Sequence, residues 1–411
     1  MSNNTFKVTS CEVCDNSNLY TVLNLGNHPM CDDLVNVTEN RQCKEYPIEI
    51  LFCEKCFTGH QKYQIPKAEL FPSSYHYRSR FTADVLSGMK NLVARTEEVF
   101  GSFKGKTVVD IGCNDGSLLD FFKEKGAITL GIEPTGAYTD ALAKGHDVLN
   151  EFFTKDVAEK ILKKNGHPDF ICFTNVFAHI EDLKGIIAAL NYLSNDNTKI
   201  IIENHYLGAV LNGYQFDTFY HEHPRTYSHR SFMHIAKSLC KEIINVDFPS
   251  RYGGNIRVFI GNKNFNSNLI SYDSKKVDTE ELTFKEKFLE MNKGIEQWKV
   301  KKKEVLQEYI EKNGRLKAKA FPGRAAILVK LLELDENMIS AVYEKPGSMK
   351  IGHFLPGTKI PILSDDDLFK TDLNEPILNL AWHISEEIKN YLQSKSYTGK
   401  IIDILQKEDF N

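Results

Sequence analysis

The residues from Thr107 to Pro134 constrain the fold of this chain more than any other stretch of its sequence. The apolar and β-branched residues at 107–111 predict a strand that is buried on both faces. Gly112 and Gly116 then predict a tight turn in which a ligand can approach the backbone closely. The run at 118–124 predicts a helix whose free N–H groups face that ligand.

A second strand, predicted over 128–133, ends at Glu133 and is followed by Pro134. An acid about 20 residues past the first glycine of such a turn can accept both hydroxyl groups of a ribose. The stretch therefore predicts a nucleoside-cofactor site on a doubly wound α/β sheet.

The loop between these strands favours one class of nucleoside cofactor. It reads Asp110-x-Gly112-x-Asn114-Asp115-Gly116, whereas a dinucleotide site requires Gly-x-Gly-x-x-Gly. Two carboxylates repel a pyrophosphate but attract a ligand with ammonium and sulfonium centres, as in S-adenosylmethionine. The alternative is a glycine turn that serves structure alone, and Glu133 weakens it. The candidate cofactor-binding residues are Asp110, Gly112, Asn114, Asp115, Gly116, Glu133, Pro134 and Asn175.

Size and composition limit the functional classes. At 411 residues the chain has room for two or three domains. Its net charge of −4 gives no general attraction to nucleic acid or to an anionic membrane. The first residues lack an apolar signal core and no apolar run reaches ~18 residues, so we expect a cytoplasmic protein without a membrane anchor. Nine cysteines in an intracellular chain indicate thiols and metal ligands rather than disulfides.

Four of these cysteines form two Cys-x-x-Cys pairs. Each pair can hold one metal ion from a tight turn, and together they complete a tetrahedral set for structural zinc. A redox dithiol is the alternative, and Cys31 and Cys43 are possible substitutes that lack a partner at chelating spacing. The predicted ligands are Cys11, Cys14, Cys53 and Cys56.

A helical pattern precedes the cofactor stretch and follows the segment Tyr75-His-Tyr-Arg-Ser-Arg80. The aromatic and basic side chains of that segment either line a substrate cleft or begin a surface helix.

After Glu133, strands and helices alternate, with strands predicted over 146–149, 169–174 and 199–203 and helices over 157–162 and from Asp182. Such sheets bind ligands at the carboxyl ends of their strands. The residues predicted at those ends are Asn175, His179, Glu203 and His205. The loop at Asn175 lacks the Asn-Pro-Pro-aromatic sequence of adenine or amide N-methylation, which argues against a nucleic-acid substrate.

The next segment contains Tyr220-His221-Glu222-His223. In an extended chain, His221 and His223 share one face while Tyr220 and Glu222 share the other. Chelation of a metal by His-x-His and a satisfied structural network are alternatives. Acid–base catalysis is the leading interpretation because these side chains are common proton carriers.

The C-terminal part predicts a long amphipathic helix over 280–313, followed by a strand at 316–321, a helix after Pro322-Gly-Arg-Ala and a strand at 338–344. The strand at 316–321, the helix after it and the strand at 338–344 form a second strand–turn–helix–strand unit of the kind that binds nucleotides. The apolar positions of the long helix are Phe284, Phe288, Met291, Ile295, Trp298, Val305 and Tyr309.

Taken together, the motifs resemble those of S-adenosylmethionine-dependent C-methyltransferases that act on nucleotide-linked deoxyketosugars. The resemblance runs from Cys11 to about Val258 and resumes at Lys350. Besides the cysteine pairs, it rests on Asp110-Ile-Gly-Cys-Asn-Asp-Gly, Gly131-Ile-Glu-Pro, Asn175-Val-Phe-Ala-His, Phe216-Asp-Thr-Phe-Tyr-His-Glu-His, Tyr252-Gly-Gly-Asn-Ile-Arg-Val and Lys350-Ile-Gly-His-Phe-Leu-Pro-Gly.

The resemblance implies a Rossmann-like methyltransferase core, a small N-terminal zinc-binding module and a C-terminal α/β Rossmann-like domain that closes over a sugar nucleotide. We expect the boundaries 1–72, 73–245 and 246–411. It implies that His223 is the general base. Tyr220, Glu222, His179 and one of Tyr75 or Tyr77 would lie beside the sugar.

Three further residues, Arg324, Lys350 and Asn204, are candidates for substrate binding. The family usually has a small-residue run that ends in Lys-Gly after the second glycine turn, whereas this chain has Gly323-Arg-Ala-Ala-Ile. Arg324 would then bind the diphosphate in place of that lysine.

A base that removes a proton beside a ketone creates the carbon nucleophile that C-methylation requires. We therefore predict C-methylation of a keto-sugar by a monomeric enzyme. The alternatives are a sugar O-methyltransferase, a nicotinamide-dependent oxidoreductase and a non-catalytic module that binds sugar nucleotides.

Overall fold

The computed structural model describes residues 5–71, 78–81, 83–262 and 272–410. Tyr75 and Tyr77 lie outside the described residues, so the predictions that rest on them stay predictions. The chain forms two compact units. The first unit comprises Met1–Tyr20, Leu51–Ala209 and Glu222–Phe284, and the second comprises Thr21–Ile50, Val210–His221 and Lys285–Asn411.

Twenty strands and thirteen α-helices are found in the described part of the chain. The strands are β1 (Phe6–Lys7), β2 (Tyr20–Pro29), β3 (Val35–Asn36), β4 (Glu45–Cys53), β5 (Thr58–Gln61), β6 (Tyr63–Gln64), β7 (Thr107–Ile111), β8 (Ile128–Ile132), β9 (Asp147–Leu149), β10 (Phe170–Thr174), β11 (Lys199–His205), β12 (Arg225–Thr226), β13 (Glu242–Asp247), β14 (Asn255–Gly261), β15 (Leu316–Lys319), β16 (Ile339–Glu344), β17 (His353–Phe354), β18 (Ile362–Ser364), β19 (Ile377–Asn379) and β20 (Ile401–Asp403). The helices are α1 (Lys67–Leu70), α2 (Ala83–Phe100), α3 (Ser117–Glu124), α4 (Tyr138–Ala143), α5 (Lys155–Asn165), α6 (Leu183–Leu193), α7 (Leu207–Asn212), α8 (His229–Ser238), α9 (Ser274–Glu281), α10 (Phe284–Asn313), α11 (Ala325–Leu331), α12 (Asp365–Leu368) and α13 (Ser385–Ser394).

The first unit is built on a seven-stranded sheet with the strand order β13-β14-β11-β10-β7-β8-β9. The strands from β11 to β9 are parallel to their neighbours, whereas β14 runs antiparallel to both β11 and β13. The strand order reverses between β7 and β10, and sheets of this kind bind ligands at that point. This topology confirms the predicted Rossmann-like methyltransferase core.

The strands of this sheet form because their side chains are apolar on both faces, as the continuous hydrophobic run at 107–111 predicts. On one face, α2 and α3 cover Val108, Phe170 and Ile201, all of which are fully buried or nearly so. The predicted helix at 118–124 corresponds to α3, and the helix predicted from Asp182 is α6, with Asp182 as its N-cap. The sheet and its helices thereby fix the positions of the loops at the carboxyl edge.

The second unit contains a five-stranded sheet with the order β18-β16-β15-β19-β20, in which every neighbouring pair is parallel. The strand order reverses between β15 and β19. The carboxyl end of β15 is therefore the position at which sheets of this kind bind ligands. The predicted C-terminal α/β Rossmann-like domain is therefore confirmed.

The long amphipathic helix predicted over 280–313 is confirmed as α10 (Phe284–Asn313), and the structure differs from the prediction in two details. Residues 280 and 281 belong to the separate helix α9, and the carboxylate of Glu281 accepts the backbone N–H of His229 at 2.6 Å. Val305 is 39% exposed, while Leu306 is fully buried. Successive steps of four residues from Trp298 reach Leu306, and Val305 lies about 100° away from that buried face.

Within the described residues, no helix is both long enough and apolar enough to cross a membrane.

Candidate active site and zinc centre

The two Cys-x-x-Cys pairs meet in the first unit. The Sγ atoms of Cys11 and Cys56 are 3.3 Å apart, and those of Cys14 and Cys53 are 3.6 Å apart. All four sulfur atoms lie within 4.8 Å of one another. Tetrahedral zinc–thiolate bonds of about 2.3 Å place sulfur atoms roughly 3.8 Å apart, so the cluster fits a zinc ion with little adjustment.

Both pairs adopt the same backbone turn, which explains why their sulfur atoms converge. Asp15 N–H donates to the carbonyl of Cys11 at 2.9 Å, and Phe57 N–H donates to the carbonyl of Cys53 at 2.7 Å. Asp15 and Phe57 have φ of 58° and 56°, the left-handed conformation that closes each turn. The amide of Asn16 also donates to the sulfur of Cys53 at 3.4 Å, and such outer bonds hold a metal ligand in place.

Cys31 and Cys43, the possible substitutes, belong to the second unit. A further group that could hold a metal is His229, Asp278 and Glu281. Glu281 accepts the N–H groups of His229 and Arg230 at the start of α8, at 2.6 and 3.1 Å. A helix N-terminus requires such acceptors, which accounts for this acid without a metal.

The cofactor loop holds Glu133 in a defined orientation. One carboxylate oxygen accepts the N–H of Asn114 at 2.9 Å, and the other accepts the N–H of Thr135 at 2.8 Å. Each oxygen has a second lone pair left for a ligand, so the carboxylate can still accept two ribose hydroxyl groups. The arrangement fits the predicted role of Glu133.

Asp110 is the second acid of the loop and is 3% exposed. Its burial and the nearby charge of Glu133 raise its pKa to about 8. A cationic ligand would favour the ionised form of this carboxyl group, which the ligand-free protein disfavours. The site is therefore better matched to a positively charged group than to a phosphate.

Asp115 and Asn114, two of the predicted cofactor-binding residues, make hydrogen bonds within the protein. Asp115 is fully buried and accepts the N–H and the hydroxyl of Ser117 at 3.2 and 2.6 Å, and the N–H of Arg80 at 2.9 Å. Asn114 accepts the N–H of Ser79 at 3.0 Å. These bonds attach the segment before α2 to the cofactor loop, and the role of both residues toward a cofactor stays a prediction.

Gly112 and Gly116 are each required at their positions, for different steric reasons. Gly112 has φ of 76°, and a Cβ there would lie 2.5 Å from the side chain of Val176. Gly116 has φ of 74° and would collide with Ala141. Gly112 thus permits close packing of the loop that begins at Asn175, itself in the left-handed region with φ of 54°.

Glu203 was expected at the ligand-binding edge, and it lies at the end of β11, but it is fully buried. Its carboxylate accepts from Arg257 Nε at 2.6 Å and from Arg251 Nη1 at 3.1 Å. These bonds join β11 to the antiparallel strand β14 and the residues just before it. Glu203 therefore stabilises the edge of the sheet.

Three histidine rings meet at this edge. The ring centre of His223 lies 4.9 Å from that of His179 and 5.2 Å from that of His205. His179 Nδ1 donates to the backbone carbonyl of Glu222 at 2.7 Å, which leaves its Nε2 as an acceptor. Desolvation lowers the pKa of His179 to about 4, so this ring is neutral at neutral pH. His205 joins the two predicted site residues, and sequence reasoning had placed it only at the edge of the sheet.

The expected alternation of side chains from Tyr220 to His223 is wrong. A 3₁₀ turn at Phe216–Thr218 is followed by a further turn at 221–222, so the segment is not extended. His221 bonds the carbonyl of Tyr46 through Nε2 at 3.0 Å, whereas His223 packs against His179. The turn, rather than strand geometry, separates the two histidines. Tyr220 is partly buried and lies in the second unit.

The three candidate substrate-binding residues differ from one another in their surroundings. Asn204 is 1% exposed, and neither amide atom has a hydrogen-bond partner in the described part of the chain. Such a buried amide is costly unless a ligand or water satisfies it. This is the property expected of a residue that binds a polar ligand.

Arg324 and Lys350 both lie near the carboxyl end of β15. Lys350 Nζ donates to the carbonyl of Phe321 at 2.7 Å. Arg324 donates through Nε and Nη2 to the buried carboxylate of Asp217, at 2.8 and 2.7 Å, and Trp382 donates to the same carboxylate at 2.9 Å. Asp217 neutralises Arg324, and sequence reasoning missed this pairing because the two residues are distant in the sequence.

Three family models match the chain in order: a zinc binding domain over residues 11–71, a methyltransferase domain over 81–239, and a C-methyltransferase C-terminal domain over 250–404. The C-methyltransferase NovU of Streptomyces niveus is 23% identical over 389 residues, which are 93% of this chain and 91% of that protein. The chain belongs to the S-adenosylmethionine-dependent C-methyltransferases. Its cofactors are S-adenosylmethionine and zinc, in agreement with the predictions.

Two solved structures are similar to part of this chain. Magnesium protoporphyrin IX methyltransferase of Synechocystis with bound S-adenosylmethionine has a TM-score of 0.34 and 14% identity, over 44% of this chain and 80% of that chain. An S-adenosylmethionine-dependent methyltransferase of Clostridium acetobutylicum has a TM-score of 0.34 and 13% identity, over 43% of this chain and 92% of that chain.

The cysteine cluster predicts about one zinc ion per chain of the C-methyltransferase. Cys53→Ser should release zinc and lower the melting temperature strongly, because structural zinc sites contribute on the order of 10 kcal/mol. Elemental analysis and calorimetry measure both effects. Cys240→Ser, at an exposed cysteine, is the control and should keep zinc and stability. Protein purified without chelator that contains no zinc would contradict the assignment.

Glu133→Gln should weaken the binding of S-adenosylhomocysteine by ~2–4 kcal/mol, or roughly 30- to 1,000-fold, because a charged acceptor of ribose hydroxyl groups is lost. Glutamine keeps an acceptor oxygen for only one of the two backbone N–H groups, so the melting temperature should fall modestly while the chain stays folded. Isothermal titration calorimetry measures the affinity. Glu151→Gln, at a solvent-accessible acid paired with Lys160, is the matched control. Equal affinities in the two variants would remove Glu133 from the site.

The raised pKa of Asp110 predicts a pH dependence of cofactor binding. A cationic ligand binds the ionised carboxylate, so affinity for S-adenosylmethionine should rise with pH up to about 8 and then level off, by at most about tenfold per pH unit. Binding should release a proton below pH 8, which calorimetry in buffers of different ionisation enthalpy detects. Asp110→Asn should lose this pH dependence of affinity. If the variant and the wild type show the same dependence of affinity on pH, Asp110 does not face the charge of the ligand.

Proposed function

We propose that the enzyme transfers a methyl group to a carbon beside the keto group of a nucleotide-linked deoxysugar, and that His223 is the base. The observation that carries the proposal is the ring cluster of His223, His179 and His205 at the sheet edge that also presents the cofactor loop. The order of motifs shared with enzymes that methylate keto-sugars supports the substrate class.

The surroundings of His223 suit a base. The ring is 5% exposed, and its neighbour His179 has a pKa of about 4. Because His179 is neutral, no positive charge on it opposes the protonation of His223. The bond from His179 to the carbonyl of Glu222 also fixes the backbone directly before His223. A fixed base is worth more than a mobile one, since proton transfer depends on geometry.

The reaction follows from these groups. When bound, S-adenosylmethionine supplies an electrophilic methyl group and leaves as S-adenosylhomocysteine. A ring nitrogen of His223 accepts the proton from the carbon next to the ketone, and the electron pair of that bond forms the enolate. The enolate carbon then forms the new carbon–carbon bond. Tyr220 and Glu222 are the candidates for stabilising the enolate and orienting the sugar.

The second unit supports recognition of a nucleotide. Its parallel sheet reverses strand order beside β15, where anionic groups commonly bind. Lys350 lies at that edge, whereas the charge of Arg324 is balanced by Asp217. We therefore favour Lys350 over Arg324 as the residue that contacts a diphosphate. In the first unit, Asn204 offers an unsatisfied amide to a polar group of the ligand.

His223→Asn should bind S-adenosylhomocysteine normally but lose methylation by about 10²–10⁴-fold. The substrate is found by incubating the wild-type enzyme with a panel of keto-sugar nucleotides and detecting the added methyl group by mass spectrometry. In D₂O the wild type should exchange the proton beside the ketone, and His223→Asn should not. His221→Asn is the control, because His221 bonds Tyr46 in the second unit, and it should retain far more activity.

NMR of the product decides between carbon and oxygen as the methyl acceptor. A methyl group on oxygen would show sugar O-methylation and contradict the proposal. Methylation by His223→Asn at nearly the wild-type rate would show that another group is the base.

A further inference from the structure

We propose that the zinc module supports catalysis through Arg225, a positioning residue that fixes the segments of His179 and His223 to the first cysteine turn. The inference rests on the proposed role of His223. It assigns no chemistry to zinc.

Arg225 is fully buried in the first unit and makes four directed contacts. Its Nη1 donates to the carboxylate of Glu12 at 2.6 Å, and its Nε donates to the hydroxyl of Tyr227 at 3.0 Å. Its Nη2 donates to the carbonyl of Ile180 and, at 3.4 Å, to that of Glu181. The planar guanidinium group therefore joins three separate stretches of the chain in a fixed geometry.

Each of these stretches carries a functional group. Glu12 lies inside the first Cys-x-x-Cys pair, Ile180 directly follows His179, and Arg225 is the second residue after His223. A shift of the cysteine turn would move Glu12 and leave a buried cation without its counter-charge, which is strongly unfavourable. The position of the turn is thereby coupled to the two histidines.

Backbone pairing reinforces this link. Strand β5, which begins two residues after Cys56, pairs antiparallel with β12, with Arg225 opposite His60. The N–H of Gln61 donates to the carbonyl of Pro224 at 2.8 Å, immediately after His223. The segment that follows the proposed base is therefore held by a strand of the zinc module.

The second cysteine turn contributes as well. The carbonyl of Cys56 accepts the hydroxyl groups of Ser228 and Ser231, at 3.0 and 3.1 Å. These serines form the capping box at the N-terminus of α8. The zinc module thus fixes both the strand after His223 and the helix that follows it.

Proton transfer and methyl transfer depend on placement within about 0.5 Å, and a misplacement of about 1 Å costs on the order of 100-fold in rate. A module that holds His179 and His223 through one buried arginine should therefore affect kcat more than cofactor affinity. If the module served only to fold its own residues, a change in it would not lower kcat while leaving cofactor affinity unchanged.

The test compares Glu12→Ala with Glu54→Ala. Glu54 holds the same position in the second Cys-x-x-Cys pair as Glu12 does in the first, which makes it a matched control. We expect Glu12→Ala to keep one zinc per chain and to bind S-adenosylhomocysteine within about threefold of wild type. Its kcat, measured with the keto-sugar nucleotide found by the panel, should fall about 10- to 100-fold. Glu54→Ala, which leaves the bond between Glu12 and Arg225 in place, should retain far more of kcat than Glu12→Ala.

A second measurement needs no sugar substrate, so it stands even if the proposed function fails. Hydrogen–deuterium exchange of the amides at 222–231 should accelerate about tenfold in Glu12→Ala, while exchange at 107–124 should not change. Glu12→Gln, which retains an acceptor oxygen for Arg225, should recover much of the protection and of kcat.

Two results would overturn the inference. One is a zinc-bound Glu12→Ala enzyme with wild-type kcat and wild-type exchange at 222–231. The other is a loss of cofactor affinity in proportion to kcat, which would indicate general destabilisation. If Glu12→Ala does not fold, the same two readouts on Arg225→Lys decide, because lysine keeps a cation but not the planar set of donors. A loss of protection confined to 222–231 is expected, and unchanged protection there would count against the role of Arg225.

Discussion

The parallel pairing of β7 with β8 and of β10 with β11 is the constraint on which the candidate site depends. Ile111 pairs with Ile132, which places Gly112 and Glu133 side by side at the carboxyl edge. Thr174 pairs with Glu203, which places the loop of Asn175 next to the end of β11. Because this register is set by strands buried on both faces, a slip of one residue would expose apolar side chains and dismantle the site.

Buried charge pairs then fix the loops and strands around that edge. Glu203 joins the end of β11 to Arg257, and Glu12 joins a cysteine turn to Arg225. In the second unit, Asp217 holds Arg324. Pairs of this kind add little net stability compared with apolar packing, yet removing one partner leaves a buried charge and is strongly destabilising. They act here as geometric constraints, and this explains why they adjoin functional segments.

Much of the site could be predicted because its signals are local. The strand at 107–111, the glycine turn, the helix of α3 and the acid at Glu133 depend on residues that are close in sequence, and the structure has them as predicted. The cysteine pairs could be predicted equally well, because the spacing that allows two cysteines to chelate one metal ion is a local property of the sequence. The turn within Tyr220–His223 was not predicted, because bonds to distant carbonyls, such as that of His221 to Tyr46, override the extended pattern.

The sequence alone determined the class of fold and the cysteine cluster, and it predicted the acids of the cofactor loop, because periodicity, turn residues and short spacings act over a few residues. Only the tertiary structure decided that Glu203 stabilises the sheet edge, that His205 joins the histidine cluster, and that Arg225 lies between a cysteine turn and the proposed base. These roles arise from desolvation and from pairing between segments far apart in the chain. No local pattern encodes the partner of a buried charge.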